Sequence, residues 1–202
     1  MELPRGIRKF AWALLLPGLV AWGCSRSSRH AAPIAINEVM ASGGVRPLLA
    51  PDGTPLANPA GETSDWVEVY NPLSHPVNLA SYTLSDNPRD PRKYRFPPLV
   101  LQPGEFVVVI LDNDPGAGPL HAGFQLRGSG EEVLLYGKNG GVVVDRRTFR
   151  ELEPDATAGR YPDGAPDYGV IYAPTPGRPN KRIGIRPPRF DGAPQVSPEA
   201  DP

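Results

Sequence analysis

The run DWVEVYNP at residues 65–72 constrains the fold more than any other part of the sequence. Its residues alternate, so that Trp66, Glu68 and Tyr70 share one face while the two valines share the other. This period of two is typical of a β-strand, and branched and aromatic residues pack well on its pleated surface. The Asn-Pro pair then ends the strand, because proline has no N–H for the ladder. We therefore predict a strand around which the rest of the chain packs.

Turn-forming residues divide the remaining sequence into short apolar runs. The chain contains 22 glycines and 27 prolines, about a quarter of its 202 residues. Short runs between such residues favour an all-β fold with many short strands. The run FVVVIL at 106–111 predicts a central strand buried on both faces. Residues 138–141 contain Asn-Gly between two apolar runs and predict a hairpin. Residues 102–105 have the composition of a type II turn, with Pro at the second place and Gly at the third.

The first strand of the mature chain is predicted over residues 34–40. Simple alternation puts Ile34, Ile36 and Glu38 on one of its faces. Residues 42–64 follow, rich in Gly, Pro, Asp and Asn, and predict a long loop. Loops of this length are usually functional or mobile.

The N-terminus predicts export. Three basic residues precede the uncharged apolar stretch 10–22, which is too short to span a bilayer comfortably and has the length of a signal-peptide core. Ala21-Trp22-Gly23 then leads into Cys24, the only cysteine, and this arrangement resembles a bacterial lipobox. We predict a lipoprotein signal peptide at 1–23, lipidation of Cys24, a tether at 24–33, a β-domain at 34–180 and a disordered Pro-rich tail at 181–202. An ordinary secretory signal that leaves a free thiol is the alternative.

These features predict a location and a class of partner. Acyl chains on Cys24 would hold the protein on a membrane at the bacterial envelope, at the outer membrane or the cell surface. Without lipidation the protein would be secreted. The predicted partners are the membrane, through the anchor, and an envelope protein or polysaccharide. A net charge of −1 is a poor match for nucleic-acid binding, which we do not expect.

Three carboxylates are the candidate metal ligands. Glu38, Asp65 and Glu68 come from adjacent motifs, and an oxygen-rich cluster of this kind suits Ca²⁺. The alternative is that they cap strand ends or bond backbone groups or an arginine. Asp112-Asn113-Asp114 also begins like a calcium loop, but Gly123 stands where its bidentate glutamate would fall. No other cofactor is expected.

Catalytic groups do not cluster in the sequence. His30, His75 and His121 have no spacing that suggests a catalytic constellation, and His121 is expected to cap a strand or bond a backbone group. Cys24 is committed to lipid if the lipobox interpretation holds. We therefore predict no catalytic residues and no enzymatic activity.

Eight sequence landmarks, in this order, resemble the lamin tail domain family in its exported bacterial form. They are Ile36–Ser42, Asp65–Pro72, Val77–Leu79 through Tyr82–Asp86, Tyr94–Pro97, Leu101–Phe106, His121–Leu126, Gly159–Gly164 and Pro174–Asn180. The resemblance implies an immunoglobulin-like β-sandwich without a disulfide, and about eight predicted strands agree with it. Trp66, Tyr70, Phe106 and the run 107–111 are its expected core.

The resemblance also sets the functional expectation. It favours a non-enzymatic interaction or scaffold module on a lipid anchor. The alternatives are a Ca²⁺-dependent glycan-binding module, in which Trp66 and the tyrosines would present aromatic faces, and an accessory subunit of an extracellular hydrolase or nuclease.

Overall fold

A computed structural model describes residues 34–41, 49, 53, 55–56, 63–181 and 184. The predicted signal peptide, Cys24 and the tether lie outside these residues, as do most of the 42–64 loop and of the tail. The described residues form short strands and two 3₁₀ helices, Leu79–Ser81 and Lys138–Gly140. The strands are β1 (Ala35–Met40), β2 (Asp65–Tyr70), β3 (Val77–Asn78), β4 (Thr83–Ser85), β5 (Tyr94–Arg95), β6 (Val100–Leu101), β7 (Phe106–Leu111), β8 (Glu132–Gly137), β9 (Val142–Thr148), β10 (Thr157–Arg160) and β11 (Tyr168–Ile171).

Two antiparallel sheets make an immunoglobulin-like β-sandwich, which confirms the predicted fold class. The first sheet has the order β11-β10-β1-β2-β7, the second has the order β5-β4-β8-β9, and β3 pairs with β6. Alternate residues of facing strands fill the space between the sheets. Val67 and Val69 of β2 belong to the same buried cluster as Val133 and Leu135 of β8.

The predicted alternation of β1 is wrong after Ile36. Ile36 pairs with Val69, but the next pair is Glu38 with Glu68, so Asn37 is an extra residue in a β-bulge. A bulge places two residues of one strand opposite one residue of its partner and reverses the alternation that follows. Ile36 therefore faces the core between the sheets, whereas Glu38 faces away from it on the outer face of the first sheet.

The prediction of β7 as a central strand is also wrong, because β7 is the last strand of the first sheet. A short segment covers part of its free side. There Ile110 N donates to Leu120 O, and Ile110 O accepts from Ala122 N. Ile110 also packs on the outer face of the sheet, in a separate apolar cluster with Met40, Leu56 and Trp66. An edge strand can thus be strongly apolar when both of its faces are covered.

The expected core is only partly the observed one. Trp66 is fully buried, but in the outer cluster and not between the sheets. Tyr70 and Phe106 are half-buried and stack on each other with ring centroids 4.7 Å apart. Val107, Val109 and Leu111 do join the core between the sheets.

Two turns match the predictions closely. The hairpin of β8 and β9 forms as expected, with Asn139 at φ 55 and Gly140 at φ 89 in its turn. The Gln102–Glu105 turn closes with a bond from Glu105 N to Gln102 O, and Gly104 has the positive φ of 77 that a type II turn requires.

Among the described residues, no helix is long and apolar enough to cross a membrane.

Candidate functional site

The β1 bulge creates a buried polar site on the outer face of the first sheet. It turns Asn37 and Glu38 toward Glu68, which lies directly opposite Glu38 on β2. Both glutamates are 0% exposed. In the described part of the chain, no lysine, arginine or histidine forms an ion pair with either of them. Two carboxyl groups thus lie side by side without a compensating positive charge.

The Asn37 side chain connects this pair to the loop between β10 and β11. Its amide nitrogen donates to Glu68 Oε1 and to Asp163 Oδ1, both at 2.9 Å. Its amide oxygen accepts from Gly164 N at 3.0 Å. One asparagine therefore links a strand of the sheet, a buried glutamate and the β10–β11 loop.

Residues 172–180, which follow β11 and are called here the C-terminal cover, close the site. Gly177 N donates to Glu68 Oε2 at 2.6 Å, and Thr175 N donates to Glu38 Oε2 at 3.4 Å. The backbone of the cover thus hydrogen-bonds directly to the two carboxyl groups.

Asn180 fixes the end of the C-terminal cover. Its side-chain nitrogen donates to Arg160 O at 2.9 Å, its backbone N donates to Asp163 Oδ1 at 3.0 Å, and its Oδ1 accepts from Thr175 Oγ1 at 2.8 Å. It lies against Gly159, where a Cβ would come within 3.2 Å of Asn180 Nδ2 and 3.1 Å of Asn37 O. The absence of a side chain at Gly159 therefore lets the cover approach the sheet closely.

Burial makes both carboxyl groups hold protons more tightly than usual. It raises the pKa of Glu38 to about 7, although bonds from Thr157 and Thr175 act in the opposite direction. The pKa of Glu68 is also well above its ordinary value, first because of burial and then because of the nearby Glu38 charge. Like-charged carboxyl groups that share a site cannot both ionise easily. The site is therefore suited to hold protons near neutral pH.

The structure brings together two of the three predicted metal ligands. Asp65 lies three residues before Glu68, so its side chain is on the other face of the sheet, where Asp65 Oδ2 accepts from Leu126 N at 2.9 Å. Asp163 is the third carboxylate of the site, and sequence reasoning missed it. Within the described ranges, no group of three or more His, Cys, Asp or Glu residues could hold a metal ion. Calcium binding stays a prediction, and Asp65 is not placed to share in it with the other two.

A second buried acid lies on the opposite side of β1. Asp145 Oδ2 of β9 accepts from Ile36 N at 2.9 Å and from Arg160 Nη2 at 2.7 Å. Arg147 contacts its other oxygen at 3.1 Å. Burial raises the pKa of Asp145, and the charge of Arg147 acts in the opposite direction. The ion pair between Arg160 of β10 and Asp145 of β9 joins the two sheets.

The other candidate groups take structural roles in the described residues. His121 Nδ1 bonds Asp112 Oδ2 at 2.7 Å instead of a backbone group, and His75 is exposed. Asp112 and Asp114 accept from the backbone N–H groups two residues further on, which is a turn motif. Trp66 is fully buried, so its ring presents no face to a glycan.

The outer side of β9 is an open strand edge. No described strand pairs with it, and it carries Val142 and Val143, each 46% exposed. The Arg146 side chain on the same strand is 54% exposed and reaches Glu132 at 3.3 Å. The edge of β7 is partly covered by residues 120–122, and Val170 O on the edge strand β11 accepts from Gly184 N.

Comparison with known families identifies the sandwich. The profile described as Lamin Tail Domain matches residues 27–151, more than half of the chain. No curated protein and no solved structure matches this chain. Strands β1 to β9 lie within the matched residues. Strands β10 and β11 follow them and complete the first sheet, and the C-terminal cover follows β11. The chain belongs to the lamin tail domain family.

Proposed function

We propose that this protein is an exported bacterial lipoprotein, anchored to the envelope through acylated Cys24, whose lamin tail domain binds other proteins and catalyses no reaction. The basic start, the uncharged apolar stretch and the single cysteine after Gly23 support the anchor. Membership of a family of immunoglobulin-like modules supports the role in binding.

The open edge of β9 carries the proposal for binding. A strand edge presents unpaired N–H and C=O groups, which can pair with an extended segment of another chain. Val142 and Val143 add branched apolar side chains beside that edge, and exposed Arg146 adds a positive charge. The partner is therefore an extended polypeptide segment with an apolar residue opposite Val143 and an acidic residue near Arg146.

Photo-crosslinking in living cells tests this edge. A photoreactive residue at Val143 is expected to capture one envelope protein through an extended segment of that composition. Val100 is the matched control, because it is 48% exposed on the β3–β6 pair, away from β9. Adding Val142→Lys should abolish the crosslink, since a lysine on an edge strand opposes strand pairing. Equal capture from positions 143 and 100, or capture that survives the lysine, would refute the proposal.

The anchor has its own test. Intact and Cys24→Ala proteins are expressed in a bacterial host, the cells are fractionated, and the mature N-terminus is weighed by mass spectrometry. We expect di- or triacylated Cys24 in the membrane fraction and an unprocessed Cys24→Ala protein. An unacylated N-terminus in the medium would rule out the anchor and leave a secreted binding module.

A further inference from the structure

We propose that three exposed cations, Arg92, Arg95 and Lys138, dock one end of the sandwich onto the anionic phospholipid headgroups of the membrane that carries the anchor. These three residues are called here the basic patch. The membrane comes from the proposed function, so the inference rests on the proposed anchor. The patch is supported by the way the fold gathers the three cations, by the charges around them and by the place where the chain enters the sandwich.

Tertiary structure brings Arg92 and Lys138 together. Arg92 Nε donates to Asn139 O at 2.5 Å, so the loop 86–93 lies against the β8–β9 turn that carries Lys138. A Cβ at Gly140 would come within 2.9 Å of Arg92 Cγ, so the glycine allows this close approach. Two cations that are far apart in the sequence are therefore neighbours on the surface.

Arg95 extends the patch over the outer face of the second sheet. It pairs with Thr83 of β4, and Thr83 in turn pairs with Tyr136 of β8, two residues before Lys138. Leu84, next to Thr83, belongs to the core between the sheets, so Thr83 and Arg95 face outward. All three cations of the patch are exposed.

The positive charge of the patch is not balanced locally. In the described part of the chain, no acid forms an ion pair with any of its three residues. Asp86 pairs with Lys93 at 2.6 Å, and exposed Asp90 is next to exposed Arg89, so these charges offset each other. The whole chain has a net charge of −1. Attraction to an anionic surface therefore depends on a local cluster such as this one.

The chain enters the sandwich at the end that bears the patch. β1 begins beside the end of β2, where Ala35 pairs with Tyr70. From Tyr70 the chain passes through β3 to the 3₁₀ helix Leu79–Ser81, which contacts the 3₁₀ helix of the β8–β9 turn. Residues 24–33 span at most about 35 Å when fully extended. An anchor at Cys24 would therefore keep this end of the domain close to the membrane surface.

Vesicle binding by the mature chain tests the patch without the anchor. The chain is made from residue 24 onward with Cys24→Ser, so that it carries no acyl group. We expect it to sediment with vesicles of equal parts phosphatidylglycerol and phosphatidylcholine but not with vesicles of phosphatidylcholine alone. Raising the salt from about 0.1 M to about 1 M should release it, because the charges are then screened. Equal binding to both kinds of vesicle would overturn the proposal.

Matched variants assign the binding to these residues. Each lysine or arginine near an anionic membrane strengthens binding about fivefold, so Arg95→Gln with Lys138→Gln should weaken it about 25-fold. Arg127→Gln with Arg150→Gln removes two exposed cations beside Gly130, at the other end of the second sheet, and should bind as the wild type does. Equal weakening in the two double variants would overturn the patch.

Two further results separate the patch from folding and from the anchor. Lys138→Gln alone should weaken binding about fivefold, and it replaces the double variant if that one does not fold. Because the tested chain has no acyl group, patch-dependent binding together with an unacylated Cys24 in cells would refute only the anchor. Acylated Cys24 in cells together with vesicle binding that ignores the patch would refute only the patch.

Discussion

Two buried acid sites contact β1 from opposite sides, and the protein neutralises them by different means. Asp145 faces two arginines and a backbone N–H, so its charge is balanced by opposite charge. Glu38 and Glu68 face hydroxyl, amide and backbone donors and a third carboxylate, Asp163. At the first site an ionised acid meets opposite charge, whereas the second site becomes neutral only by binding protons. The comparison teaches that one strand can carry a fixed contact and a titratable one.

Breaking the Asp145 site should have the largest effect on stability. Asp145→Ala leaves Arg160, which is 2% exposed, without its carboxylate. Removing one partner of a buried ion pair typically costs about 3–5 kcal/mol. We expect a loss of that size in the free energy of unfolding, measured by urea denaturation.

Glu132→Ala is the control for that experiment. Glu132 pairs with Arg146, whose side chain is 54% exposed, and surface pairs contribute about 0–1 kcal/mol. If the two substitutions lower the free energy of unfolding equally, the Arg160–Asp145 contact does not hold the two sheets together as its geometry indicates.

The titratable site should give a smaller, pH-dependent effect. Burial raises the pKa of Glu38 to about 7 from 4.5, so its stabilising effect is complete below 4.5 and disappears as pH rises through 7. Each pH unit in that window is worth about 1.4 kcal/mol per proton. Glu38→Gln cannot titrate at this position. Between pH 4.5 and 8 we therefore expect the free energy of unfolding of the wild type to fall by about 3 kcal/mol relative to that of the variant.

Urea denaturation of both proteins at several pH values measures this difference. The comparison of variant with wild type cancels the contribution of other titrating groups, such as Asp145. Parallel pH profiles would show that Glu38 ionises as easily in the folded chain as in the unfolded chain.

Sequence reasoning predicted the parts of the fold that depend on local chemistry. The Asn-Gly turn at Asn139 and the Pro-Gly turn at Gly104 fix their own backbone, and the alternation in β2 fixes its two faces. It also found Glu38 and Glu68, since both lie in the motifs that resemble the family.

The rest of the site could not be predicted, because it depends on long-range packing. No residue type marks the bulge at Asn37, which decides that Glu38 faces outward. Asp163 joins the pair from more than ninety residues away along the sequence, through Asn37 and Asn180. Strands β10 and β11 are four residues each and lie among glycines and prolines, so their local pattern is weak.

A single hydroxyl gives the finest test of the comparison. Thr157→Val removes the donor to Glu38 at nearly constant volume, and its bond is one of the contacts that lower the pKa of Glu38. Without it the pKa should rise further, so more of the pair stays protonated at neutral pH. We expect a cost of about 1 kcal/mol at pH 5 and more at pH 8, because hydrogen bonds to charged groups are the stronger ones. Thr148→Val, on the exposed side of β9, should change stability by less than about 0.5 kcal/mol at either pH. Carboxyl carbon NMR shifts report the pKa directly. An unchanged or lowered value in Thr157→Val would mean that backbone donors of the cover, and not this side chain, determine the charge on Glu38.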